Sequence, residues 1–196
     1  KGIQGHTANS QRASNPAHYL VKMLKNIISK PLDDGNEFFL PSSVQIPTID
    51  VGNSAPNIIP ETATATINIR FNNQHTWDSL KIWMQNHINS TFEKISNASC
   101  TFTTEKTGES FLTEPREFCS LVSQSIKEIN GTNEKLELAT DGGTSDARFI
   151  KDYCEVLELG TINNTLHQID EYVKISDLKK LHDIYLKILE KYFEKI

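Results

Sequence analysis

Arg70, His167 and the run Asp141-Gly142-Gly143-Thr144-Ser145-Asp146 are the places where this sequence could do chemistry. Arg70 is one of four arginines, and a guanidinium can hold a carboxylate through two parallel hydrogen bonds. A solvent-facing strand arginine is the plainer reading of the same residue. The glycine run opens a short helical segment. Its backbone N–H groups could cradle an anion smaller than a nucleotide, such as a carboxylate. No Walker lysine follows it, and no Gly-x-Gly-x-x-Gly is present. The bland alternative is a loop in which Thr144 or Ser145 caps the helix.

Six histidines are available for metal chemistry: His6, His18, His75, His87, His167 and His182. None stands in a His-x-x-x-His or Glu-x-x-His pattern. His18, His87 and His182 fall within helical patterns, and His75 in a helix-entry loop. His167 is placed differently, in a loop just past a predicted strand at 156–159, where α/β sheets put their sites. One histidine cannot hold zinc, which takes three or four protein ligands. Nucleophilic catalysis has little support, because there is no Gly-x-Ser-x-Gly elbow and no base can be named for Ser145. The three cysteines, Cys100, Cys119 and Cys154, are widely spaced and contain no Cys-x-x-Cys. That pattern argues against a disulfide scaffold or zinc ribbon and favours a reducing cytoplasm.

The elements that must position these residues follow from periodicity. Residues 1–8 read as the end of a strand. Asn15-Pro16 starts a helix with Ala17, Leu20, Leu24, Ile27 and Ile28 on one face, ended by Pro31. Val44, Ile46, Ile49 and Val51 predict a strand, with Pro47 at a bulge or edge. Thr62 to Phe71 alternates strictly and is the clearest strand. Thr76 caps a helix carrying Leu80, Trp83, Met84, Ile88 and Ile95. Cys100, Phe102 and Thr104 mark another strand. The order β-α-β-β-α-β over 1–106 is the ferredoxin-like split βαβ pattern.

Beyond Gly108 the pattern changes. Phe118, Leu121, Val122, Ile126 and Ile129 form a helical stripe closed by Asn130-Gly131. Short strands are predicted at 136–138 and 156–159, and Ser176 is predicted to cap a last helix. Two or three strands cannot cover a parallel sheet, so this half should need partner strands. The whole is of α/β class.

With 25 acidic against 20 basic residues, net charge −5, the chain is a poor match for a phosphate backbone. Its 37% hydrophobic content suits a soluble globular fold. No apolar run approaches the ~20 residues that span a bilayer, and the polar N-terminus does not read as a signal peptide. Neither nucleic acid nor membrane is an expected partner.

Several stretches occur together in order: Lys1-Gly2-Ile3-Gln4-Gly5-His6, Gly35-Asn36-Glu37-Phe38-Phe39, Pro56-Asn57-Ile58-Ile59-Pro60, Ile69-Arg70-Phe71, Gly142 to Phe149, and Asn163-Asn164-Thr165-Leu166-His167. Over essentially its whole length the chain resembles the dinuclear zinc aminoacylase/carboxypeptidase family. The Gly-Asn-Glu-Phe-Phe stretch favours its desuccinylase branch over the acetylornithine deacetylases. The resemblance implies a ferredoxin-like lid or dimerisation domain at 1–111. The C-terminal part of an α/β zinc-hydrolase catalytic domain follows at 112–196. It also implies that the N-terminal part of that domain, with the other zinc ligands and the catalytic glutamate, lies before Lys1.

Carried over, His167 is the one metal ligand of this segment, in a site that takes two zinc ions or cobalt. His6 reaches across a homodimer to stabilise an oxyanion, and Asn57 contacts substrate across the same interface. Arg70, Gly143, Thr144 and Asn163 hold the carboxylate of a small N-acyl amino acid. The sequence departs from the family at Asn9-Ser10-Gln11, where Tyr-Pro-His is usual, at Pro56 and at Ala147. Another N-acyl amino acid amidohydrolase, or a non-catalytic dimerisation module, are the alternative readings. Residues 112–196 are expected to expose apolar surface.

Overall fold

A computed structural model describes residues 1–140, 143, 145–162 and 164–194. The chain divides into two compact units, Lys1–Ser110 and Phe111–Ile196.

In the first unit, β1 (Gly5–His6) leads through a 3₁₀ segment (Thr7–Arg12) to α1 (Pro16–Ile28). Pro16 needs no hydrogen-bond partner at the first helical position. Asn15 Oδ1 caps the helix by accepting from Ala17 N at 3.0 Å. After a loop come β2 (Ser43–Asp50), β3 (Ile58–Ile59) and β4 (Thr64–Arg70). The helix α2 (Trp77–Phe92) closes the set, begun by a capping box between Thr76 and Ser79. It stops at Phe92, short of Ile95, whose N–H turns back to Phe92 O.

The strands pair in two antiparallel couples, β1 with β3 and β2 with β4. In the second couple the register slips between Gln45 and Thr48, around Pro47. Proline has no N–H to give the ladder, so the bulge falls where the sequence placed it. Alternation along β4 sends Ala65 and Ile67 inward, and Val44 and Ile46 of β2 join them. Against these pack Met23, Leu24 and Ile27 of α1 and Ile88 of α2. Each such burial is worth about 1.5–3 kcal/mol. Thr64, Thr66, Asn68 and Arg70 line the open, exposed face of β4.

No strand forms at 100–104, a correction to the sequence reading. The cause is a missing ladder partner. Lys1 and Ser99 do exchange both backbone bonds, the terminal amine donating to Ser99 O at 2.7 Å and Ser99 N to Lys1 O at 2.9 Å. Gly2 N donates to Glu61 O at 2.8 Å. Pairing ends there, and β4 is bonded on the β2 side alone among the described residues.

The second unit is helical where described: α3 (Glu117–Asn130), α4 (Ala147–Ile150) and α5 (Ile175–Phe193). Leu121 and Val122 of α3 pack on Ile184 and Ile188 of α5, with Leu157 and Leu159 against the same cluster. Gly131 ends α3 in the left-handed region at φ 65°. The predicted strands at 136–138 and 156–159 are irregular segments. Leu157 and Leu159 pack on the helices, whereas Leu138 is exposed, and in neither segment is there, among the described residues, a neighbour to build a ladder. Ser176 does not cap α5. The first turn begins earlier, with Asp177 N and Leu178 N both bonded to Lys174 O. Exposed apolar side chains are concentrated in this unit, including Phe149 (60%), Ile169 (95%) and Ile175 (71%). No helix among the described residues is long and apolar enough to cross a membrane.

Candidate functional site

His6 and Asn57 are distant in sequence and meet through the short β1–β3 pair. His6 stands opposite Ile58 in the ladder, and Thr7 N donates to Asn57 O at 3.0 Å. Both side chains are exposed. His6 Nδ1 accepts from Ala8 N at 3.0 Å, capping the 3₁₀ segment. With Nδ1 accepting, the neutral ring carries its proton on Nε2 and presents a single donor outward.

Asn57 follows a loop that is folded by its own side chains. Asn53 Nδ2 donates to Ile58 O at 2.8 Å and to Ala55 O at 3.2 Å, while its Oδ1 accepts from Ala55 N. Asp50 Oδ1 accepts from Gly52 N at 2.8 Å, with Gly52 at φ 63°. The signal was Asp-x-Gly-Asn, residues that turn the chain through their own side chains.

Arg70 is the last residue of β4, on its exposed face and paired in register with Ser43. Just beyond it the chain enters a polar knot centred on Asp33. The Asp33 carboxylate, 7% exposed, accepts from Gly35 N at 2.8 Å, Ser42 N at 3.1 Å and Asn72 Nδ2 at 2.7 Å, and lies 3.0 Å from His75 Nε2. Burial pushes the carboxyl upward, but hydrogen bonds from the Ser42 hydroxyl, the Gly35 and Ser42 amides and Asn72 outweigh it. They hold the carboxyl at about 2. Asn36 ties the same loop by accepting from Phe38 N and Phe39 N.

In the second unit, Gly143 is exposed with open space where a side chain would be. Thr144 and Asn163 lie outside the described residues. Ser145 Oγ accepts from Ala147 N at 2.9 Å, but the residue at the cap position of α4 is Asp146, with no side-chain cap bond, so Ser145 is not the cap. His167 is exposed and sits in the left-handed region at φ 58°, an uncommon conformation for histidine. Its backbone N–H donates to Glu171 Oε2 at 3.2 Å. Thr165 Oγ1 donates to Tyr172 O and accepts from Tyr172 N, closing the 165–172 loop. Among the described residues the imidazole has no hydrogen-bond partner. No three His, Cys, Asp or Glu side chains there come together as a metal site either. Among the described residues the donors therefore do not by themselves fit a zinc centre, which needs at least three.

One further carboxylate escaped the sequence reading. Glu155 accepts from Arg116 N and Cys119 N at 2.9 Å and from Phe118 N at 3.0 Å, filling the start of α3. Desolvation raises its pKa, but those backbone bonds prevail and lower it overall. All three cysteines are free thiols.

Comparison with known proteins gives these residues a setting. Residues 1–96 match the peptidase dimerisation domain family. The chain is 45% identical over 192 residues to a succinyl-diaminopimelate desuccinylase of Paracoccus denitrificans, covering 98% of this chain and 50% of that protein. It is 42% identical over 193 residues to that of Parvibaculum lavamentivorans, covering 98% and 48%. With the Ehrlichia canis protein of the same name it shares 43% over 192 residues, covering 98% and 49%. It thus spans about half the length of the curated relatives it matches. Residues 1–96 thus resemble the peptidase dimerisation domain family, and over 98% of its length the chain is similar to succinyl-diaminopimelate desuccinylases, of which it spans about half.

Proposed function

We propose that the chain works as part of a metal-dependent amide hydrolase that releases succinate from N-succinyl-diaminopimelate, a step of diaminopimelate and lysine biosynthesis. The observation that carries this is 45% identity over 98% of the chain to a protein of that name. Residues 1–111 serve as lid and dimerisation domain, and 112–196 as the C-terminal part of the catalytic domain. A homodimer through the lid accords with the family of residues 1–96.

In this reading unit 1 is a ferredoxin-like lid whose sheet is completed by a strand continuing back from Lys1. Support comes from the backbone. The Lys1–Ser99 exchange and the Gly2–Glu61 bond point such a strand antiparallel both to 99–104 and to β4. It would lie between them, giving 100–104 the partner that it lacks.

His167 is then one metal ligand, and the remaining ligands lie outside this chain. The family resemblance implies two zinc ions, with cobalt as a substitute, which would activate water and polarise the amide. This chain's own residues do the rest. His6 donates from Nε2 to the oxyanion forming on the acyl oxygen, with Asn57 beside it against substrate. Arg70 forks the amino-acid carboxylate, joined by Gly143, Thr144 and Asn163. Three free thiols suit a cytoplasmic enzyme.

The test is succinate release by the full-length protein, with N-acetylornithine and other N-acyl amino acids as competitors. Preference for N-succinyl-diaminopimelate supports the reading, and preference for acetylornithine refutes it. His6→Ala should lower kcat by about 10²–10³, the scale of losing one oxyanion donor. Arg70→Ala should raise KM.

A further inference from the structure

We infer that Asp33 is a positioning residue for Arg70, acting through Ser42 and Asn72. The inference rests on the proposed carboxylate-binding role of Arg70.

The backbone that carries Arg70 has two supports, and both lead to Asp33. Across the ladder Arg70 pairs with Ser43, the first residue of β2. The residue before it, Ser42, is 9% exposed and gives its N–H to Asp33. Along the chain, two residues past Arg70, Asn72 is 3% exposed. Its N–H donates to Ser42 Oγ at 3.0 Å, and its side-chain amide donates to Asp33 Oδ1 at 2.7 Å and to Leu40 O at 3.1 Å. One carboxylate therefore ties the end of β4 to the start of β2. His75, 3.0 Å away, extends the knot to the entry of α2.

The reason to expect a functional and not merely a structural role is placement. Asp33 is a charged group kept almost dry, which is costly unless its partners repay it. Those partners are concentrated around one strand end and one loop, not spread through the core. The exposed side chain that leaves this strand end is an arginine. Arginine is long and rotamer-rich, and a bidentate contact tolerates little error at its base. A fixed Cα limits the freedom that Arg70 must lose on gripping a carboxylate. The loop between the two supports is made equally stiff: Gly35 at φ 75° and the Asn36 side chain leave 33–42 little choice of path.

The test is a double-mutant cycle in the full-length protein, assayed with N-succinyl-diaminopimelate. Asp33→Asn and the milder Ser42→Ala are each measured alone and with Arg70→Ala. Thermal melts confirm that each variant is folded at the assay temperature, and Ser42→Ala serves if Asp33→Asn is not. Each single variant should raise KM by about tenfold while kcat stays within about twofold, the scale of one charge-assisted hydrogen bond lost from binding. In the Arg70→Ala background the same changes should leave KM where Arg70→Ala alone puts it. If the effects simply add, or if kcat falls and KM holds, Asp33 does not act through Arg70 and the inference is overturned while the proposed role of Arg70 stands. If Arg70→Ala alone leaves KM unchanged, the role of Arg70 fails, and the inference with it.

Discussion

Replacing Asp33 by Asn should cost unit 1 a stability that depends on pH in a definite direction. The carboxyl is held at about 2 in the folded chain against 3.8 in an open one. Between those values the unfolded chain binds more protons than the folded chain, so protonation favours unfolding. The ionised group contributes roughly 2 kcal/mol, present above pH 3.8 and lost as pH falls through about 2. Linkage leaves about half of it at pH 3 and little at pH 2.

Both tryptophans, Trp77 and Trp83, lie in α2, so their fluorescence follows unit 1 without interference from unit 2. Urea unfolding of the parent chain and Asp33→Asn at pH 7, 4, 3 and 2 gives the gap directly. The expected gap is roughly 2 kcal/mol at pH 7, about half that at pH 3 and close to zero at pH 2. A gap below about 0.5 kcal/mol at pH 7, or one that stays level down to pH 2, would refute the account of the knot.

Glu155→Gln should loosen the start of α3. Losing a carboxylate from three N–H groups costs about 1–2 kcal/mol, read as faster amide exchange over Ser120 to Ser125. Gly35→Ala should destabilise unit 1 by more than about 1 kcal/mol, because Gly35 sits at φ 75° and a Cβ there would come within 2.6 Å of Phe39 O. Thr91→Val should stabilise unit 1 by about 1 kcal/mol, since the Thr91 hydroxyl is buried with no hydrogen-bond partner among the described residues. Urea midpoints by tryptophan fluorescence check both.

What was legible in the sequence was what is decided locally. Asn15-Pro16, Thr76 and Asn130-Gly131 mark helix ends through their own side chains or backbone freedom, and the structure uses all three. The alternation of 62–71 and the Pro47 bulge were equally plain. Strands 100–104, 136–138 and 156–159 were misread because alternation describes a side chain's preference, whereas a strand exists only beside another. Ser176 was misread because a good capping residue competes with its neighbours, and here Lys174 O takes the first-turn bonds. The meeting of His6 with Asn57 needed the β1–β3 register, which two-residue strands do not announce. The knot around Asp33 joins residues 33, 42, 72 and 75, a grouping that no local pattern predicts.

The account's central claim is that His167 is one arm of a metal centre whose other arms are not in these 196 residues. Equilibrium dialysis against zinc measures it most directly, on the isolated chain, on the full-length protein and on the full-length His167→Ala variant. The account predicts no tight zinc on the isolated chain, tight zinc on the full-length protein, and its loss or marked weakening in the variant. Stoichiometric tight zinc on the isolated chain, or full retention by His167→Ala, would contradict it.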